Sequence, residues 1–165
     1  ARLSHIHKAT GQPVSLVGWS LGGVLARLVA SRMPDHVRQV ISLGSPFTGD
    51  PRASNVWRTY QFMTGQKIGS NHTRDQLREV AEAPPVPTTA IYSKGDGVVA
   101  WQNCVDVPSD LVENIEVRGS HCGLGVNASV MFAVADRLAQ DPTNWQPFAR
   151  DGVKALIYPP ANDLF

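Results

Sequence analysis

Few cysteines, no excess of charge of either sign and no long apolar run mark this sequence, and each shortage narrows what the chain can be. Two cysteines, Cys104 and Cys122, in 165 residues cannot build a disulfide scaffold, and no Cys-x-x-Cys pair offers a structural zinc site. Fifteen Lys plus Arg stand against fourteen Asp plus Glu, a formal charge of +1. That balance provides no basic face for phosphate, so nucleic acid is not expected as a partner. No block of like charge forms a tail either. The longest mostly apolar stretch, Val14 to Ala30, is interrupted by Ser15, Ser20, Arg27 and several glycines, which argues against a transmembrane segment. The opening residues Ala1-Arg2-Leu3-Ser4-His5 lack the apolar core of a signal peptide, so a soluble protein is expected, its compartment left open with the cytoplasm slightly favoured. An initiator Met is missing too, and the start reads as processed or as a point partway along a longer chain.

What is present is an alternation of strand and helix. Val14 to Gly18 is a short apolar run after Gly11 and Pro13, the pattern of a buried strand. Leu21, Val24, Leu25, Leu28 and Val29 recur at helical spacing up to Met33, and Pro34 ends that helix. Val37 to Leu43, Thr88 to Ser93 and Val112 to Val117 are three further strand candidates. Val126 to Gln140 reads as a helix with Val126, Val130, Val134 and Leu138 on one face. The expectation is an α/β fold, a mainly parallel sheet flanked by helices, in a single domain over residues 1–165. No internal repeat is visible.

Residues 47–87 break the pattern. Trp57, Tyr60, Phe62 and Met63 lie there, with a helical piece from Thr73 to Ala83 and a closing Pro84-Pro85-Val86-Pro87. Some forty residues is too long for a plain connection, so a lid or cap-like insertion is expected, with a surface excursion as the alternative. The tail, residues 143–165, is expected to run over the surface in extended form.

The strongest chemical signal is Gly18-Trp19-Ser20-Leu21-Gly22, a G-x-S-x-G at the junction of strand and helix. That context is what a nucleophile elbow requires. The glycines allow a tight turn that projects the Ser20 hydroxyl, and Gly22 with Gly23 lets the helix come close to the strand. The competing reading is a serine that merely caps the helix. A nucleophilic serine needs a base. Of His5, His7, His36, His72 and His121, only His121 follows a predicted strand end and so shares the rim of Ser20. His5, His7 and His36 belong on the opposite rim, and His72 falls in the lid-like segment. The base needs a carboxylate to orient it. Asp96, in Gly95-Asp96-Gly97 just past Ser93, is better placed than Asp106 or Asp110, though Asp-Gly is also an ordinary turn.

The elbow Val14 to Gly23, the acid turn Lys94-Gly95-Asp96-Gly97-Val98-Val99 and Gly119-Ser120-His121, in that chain order, resemble the α/β-hydrolase superfamily on its lipase and esterase side. The resemblance runs from Gly11 to Gln140. It implies Ser20 as nucleophile, His121 as general base, Asp96 as its partner and the Leu21 backbone N–H as one oxyanion donor. The family carries strands, and a loop with the second oxyanion donor, ahead of the elbow strand. This sequence has only Ala1 to Thr10 there, which looks like the end of the preceding helix, so the chain is expected to be the C-terminal portion of the fold.

The resemblance implies hydrolysis of a carboxylic ester through an acyl-enzyme with neither metal nor organic cofactor, and the aromatic, partly apolar segment 47–87 suggests a small-molecule substrate with a hydrophobic acyl or alcohol group. Thioesterase and acyltransferase chemistry use the same triad, and a truncated, non-catalytic fragment or interaction module is the alternative from another class. Trp19 and Trp101 are candidates to line the substrate pocket, or pack as core. Cys104 and Cys122 either meet beside the site as a disulfide or stay as free thiols, the reading favoured without a secretion signal. Metal or redox chemistry through Cys104, Cys122 and His121 lacks zinc-ligand spacing.

Overall fold

The computed structural model describes residues 2–48, 78–141 and 143–160. Four strands, β1 (Val14–Trp19), β2 (Val37–Leu43), β3 (Thr88–Tyr92) and β4 (Val112–Glu116), form one sheet in the order β1-β2-β3-β4. All three pairings are parallel, with Trp19 beside Leu43, Leu43 beside Ile91 and Ile91 beside Ile115. The C-terminal ends of the strands therefore share one rim. Every residue of β3 is buried, whereas Val17 and Trp19 of β1 are nearly half exposed, as befits an edge of the described sheet.

Helices cover both faces. α1 (Arg2–Thr10) precedes β1, in keeping with the helix end expected at Ala1 to Thr10. Gly11, at φ +66°, stops it and donates its N–H to the His7 carbonyl, a conformation glycine adopts without steric cost. α2 (Leu21–Arg32) packs Ala26 and Ala30 against Val37, Val40 and Val86, with Val24 and Leu28 against Phe47, Val80 and Ala90. α3 (Ala128–Ala139) covers the opposite face, where Val130 and Ala133 join Ile41, Leu43, Ile91, Ile115 and Leu124. Alternate residues of β2 and β3 thus feed two cores, the period of two that a doubly covered sheet demands.

α3 begins two residues later than the periodicity indicates. Val126 belongs to a 3₁₀ turn, Leu124–Val126, and is 84% exposed; Asn127 then caps α3, its side-chain oxygen accepting the Ser129 N–H at 2.9 Å.

Residues 143–160 of the tail are mostly exposed and mostly without regular structure, yet two of its aromatics turn inward. Phe148 and Tyr158 are buried in the main core and meet edge to face at 4.7 Å. Glu113 accepts the Phe148 N–H at 2.6 Å, Arg150 donates to the Asn114 carbonyl at 2.7 Å, and a single helical turn, α4 (Lys154–Ile157), follows. Two aromatics worth roughly 2 kcal/mol or more each on burial anchor the tail over β4 and α3. Of the lid-like insertion, residues 49–77 lie outside the described residues, as does His72. Its two ends are described: Phe47 and Val80 are buried, and residues 78–81 are helical.

Candidate functional site

β1 ends in a sharp turn into α2, and Ser20 occupies it at φ 52°, ψ −122°, the one positive φ outside glycine among the described residues. Such a conformation costs on the order of 1–3 kcal/mol and persists only where the surroundings enforce it. Here the Ser20 N–H donates to the Leu43 carbonyl at 2.9 Å, and the Ser20 carbonyl accepts from Gly23 at 3.1 Å. Gly18 and Gly23 are the glycines that make room. A Cβ on Gly23 would meet Ser45 Oγ at 2.1 Å, while one on Gly22 would meet nothing within 4 Å. Close approach of helix and strand therefore rests on Gly18 and Gly23 rather than on the expected pair of Gly22 and Gly23.

The Ser20 side chain makes no capping hydrogen bond to α2. Its Oγ lies 3.0 Å from His121 Nε2, and His121 Nδ1 lies 2.7 Å from Asp96 Oδ2. All three residues are buried, between 1% and 6% exposed, so solvent screens these contacts little. Asp96 is itself fixed: its second oxygen accepts the N–H groups of Val98 at 3.0 Å and Val99 at 2.6 Å. Leu21 opens α2, where the first N–H groups have no intrahelical acceptor and the helix dipole is positive.

The other candidates separate. His7 and His36 meet in a tilted ring contact, centroids 4.4 Å apart, beside the start of β2, at the opposite rim. Asp106 is buried in an ion pair with Arg27 at 2.5 Å, and Asp110 lies exposed in a turn. Trp101 packs on Tyr92, ring centroids 5.7 Å apart, in a cluster with Val99, Cys104 and Val105. Trp19 stays at the site, its ring centroid 5.5 Å from that of His121. The two cysteines are separate thiols: Cys122 is exposed, whereas Cys104 is buried, and burial, with the Asp96 charge adding to it, pushes its thiol well above the usual range. Among the described residues no three or more His, Cys, Asp or Glu side chains gather as a metal-ligand group.

Two supporting residues went unread in the sequence. Gly44, at φ +54°, lies against the imidazole–carboxylate pair: a Cβ there would fall 3.1 Å from Asp96 Oδ2 and 3.3 Å from His121 Nδ1. Ser93 donates its hydroxyl to the Gly119 carbonyl at 2.6 Å and accepts from the Gly95 and Gly119 N–H groups, tying the acid turn to the histidine loop. Their signal was positional: each directly follows a strand on the rim that carries Ser20.

Comparison with known proteins agrees with this architecture. The sequence pattern of the alpha/beta hydrolase fold family matches residues 6–79. A pimeloyl-[acyl-carrier protein] methyl ester esterase of Shewanella sp. (strain MR-7) is 28% identical, over 47% of this chain and 39% of the esterase; the chain thus spans about two fifths of that relative's length. The crystal structure of the mature Bacillus licheniformis lipase BlEst2 superposes with a TM-score of 0.56 at 19% identity, covering 83% of this chain and 69% of the lipase. The NocB thioesterase domain gives a TM-score of 0.48 at 21% identity, over 84% of this chain and 72% of the domain. The described residues have the α/β-hydrolase fold. Among its described residues no helix is long and apolar enough to cross a membrane.

Proposed function

We propose that Ser20, His121 and Asp96 are the nucleophile, general base and orienting acid of a serine hydrolase that cleaves carboxylic esters. The observation that carries this reading is the unbroken hydrogen-bonded run from Ser20 Oγ through His121 to Asp96 Oδ2, built on the strained backbone of Ser20. The identity of the esterase relative supports it.

In the first half-reaction Ser20 Oγ attacks the ester carbonyl carbon while its proton passes to His121 Nε2. Asp96 Oδ2 accepts the Nδ1–H and stabilises the imidazolium. Negative charge collects on the former carbonyl oxygen, where the Leu21 N–H at the head of α2 donates to it. The C–O bond to the leaving alcohol then breaks, and that alcohol takes the proton from Nε2. Water, deprotonated by the same imidazole, attacks the acyl-enzyme and releases the acid, regenerating Ser20. Trp19, 44% exposed beside Ser20, offers an apolar surface to an acyl or alcohol group, which supports a substrate with a hydrophobic moiety.

The test is turnover of p-nitrophenyl esters of short and medium acyl length, with an acyl thioester in parallel. Ester hydrolysis by the chain, lowered by roughly 10³-fold or more in Ser20→Ala, is the expected result. Turnover that survives in Ser20→Ala contradicts the assignment, and exclusive turnover of the thioester moves the chemistry to that class.

A further inference from the structure

We infer that Trp19 is a positioning residue whose indole N–H holds the backbone of His121 in register with Ser20; the inference rests on the serine-hydrolase reading above. Trp19 is the last residue of β1 and the one before the nucleophile. Its Nε1 donates to the His121 carbonyl at 3.1 Å across 102 positions of sequence. On the other side of the same residue, the His121 N–H donates to the Asp96 carbonyl at 2.8 Å. Both backbone polar groups of the base are thus taken: the N–H by the acid's own main chain, and the carbonyl by the neighbour of the nucleophile together with the more distant Leu124 N–H at 3.3 Å, which belongs to the same loop and so ties His121 to nothing on β1.

The physical need for such a clamp lies in the loop that carries His121. It runs from β4 to the 3₁₀ turn Leu124–Val126, without regular structure from Val117 to Ser120, and contains Gly119 and Gly123. Glycine leaves backbone freedom that must be removed for a base to stay at hydrogen-bond distance. The side-chain bond to Asp96 fixes the tilt of the imidazole but not the height of its Cα above the elbow. Trp19 supplies that coordinate, because β1 pairing places its Cα beside Leu43, whose carbonyl also holds the Ser20 N–H. Nucleophile and base are therefore referenced to the same strand end. A displacement near 1 Å is enough to cost about 10²-fold in rate. An indole that served the substrate alone would need no polar partner on the base.

The experiment replaces Trp19 by β-(3-benzothienyl)alanine, which keeps the ring's shape and exchanges the N–H donor for sulfur, with Trp19→Phe as a genetically simpler partner. Three properties are read: the rate of fluorophosphonate attachment to Ser20, the separate kcat and KM for an ester, and the carbonyl resonance of His121. The last is assignable by selective isotope labelling because His121-Cys122 is the one His-Cys step in the sequence. The expected result is a shifted His121 carbonyl resonance, labelling slowed about 10-fold to 100-fold, kcat lowered with KM held within about twofold, and an unfolding midpoint close to that of the wild type. A wild type labelled at Ser20 with a variant of equal rate, or a raised KM at constant kcat, overturns the positioning role and leaves the hydrolase reading standing. An unmoved carbonyl resonance overturns it too. A folded wild type that takes no label at all overturns the hydrolase reading, and this role with it.

Discussion

Gly18 and Gly22 meet backbone to backbone: a Cβ on Gly18 would lie 2.3 Å from the Gly22 carbonyl carbon and 2.4 Å from its oxygen. The contact sets how close α2 sits to β1, and it distinguishes two glycines that look equivalent in the motif. Gly18→Ala is predicted to destabilise the chain by about 1–3 kcal/mol or more, since backbone rather than a flexible side chain must give way. Gly22→Ala has open space and a helical position, so it is predicted to be neutral or stabilising by up to about 1 kcal/mol. Denaturant unfolding of the two variants checks the contrast, and equal losses would contradict it.

Gly44 carries a similar prediction for function. Alanine there must hold φ near +54° and push into Leu124 Cδ1 at 2.7 Å as well as the Asp96–His121 pair. The conformational penalty and the crowding together cost about 1–3 kcal/mol. Because the crowded atoms orient the base, Ser20 labelling is predicted to slow by about tenfold or more. A variant destabilised but labelled at the wild-type rate shows that Gly44 serves folding alone.

Much of this arrangement was legible in the sequence. The order Ser20, Asp96, His121 at three strand ends follows from periodicity and turn residues, because a parallel sheet puts every strand's C-terminal end on one rim. Periodicity over short windows does not register capping, so it extends α3 back to Val126 although Asn127 caps the helix and Ala128 begins it. Nor does it register which aromatics turn inward. Phe148 and Tyr158 sit among prolines and polar residues, yet Glu113 and Ser129 supply the hydrogen-bond partners that let the tail go under. Gly44 and Ser93 act through neighbours far along the chain, and no local pattern reports those. The lid-like reading of residues 47–87 concerns a segment whose middle, 49–77, falls outside the described residues.

Arg27 joins α2 to three other parts of the fold. It is fully buried, donates to the carbonyls of Val80 at 2.9 Å and Glu82 at 3.1 Å, pairs with Asp106 and lies 3.7 Å over the Phe47 ring. Burial lowers the pKa of its guanidinium, with Asp106 opposing that shift. Removing one partner leaves the other charge uncompensated, so Arg27→Met and Asp106→Leu are each predicted to cost about 3–5 kcal/mol. The double variant is predicted to cost less than the sum, and a double-mutant cycle in denaturant measures the coupling. Additive losses would show that the pair does not act as a unit.

Asp136 supplies a pH dependence with a defined sign. Burial alone would raise its pKa, but hydrogen bonds from Lys154 at 2.8 Å and from Arg137 outweigh it, holding the carboxyl below its ordinary value. A carboxylate depressed in the folded state contributes stability that is present above its unfolded pKa, about 3.9, and is lost as pH falls through the folded value. The stability difference between wild type and Asp136→Asn is therefore predicted to be constant above about pH 5 and to shrink below about pH 4. Unfolding midpoints measured across that range check it, and a difference that grows with acidity reverses the sign.

Intact-mass analysis after exposure to a fluorophosphonate tests the central claim most directly, with Ser20→Ala and His121→Ala alongside. The account predicts one adduct per wild-type chain, none on Ser20→Ala, and labelling slowed by at least about 10³-fold in His121→Ala. An adduct that persists on Ser20→Ala, or a folded wild type that takes none, would contradict it.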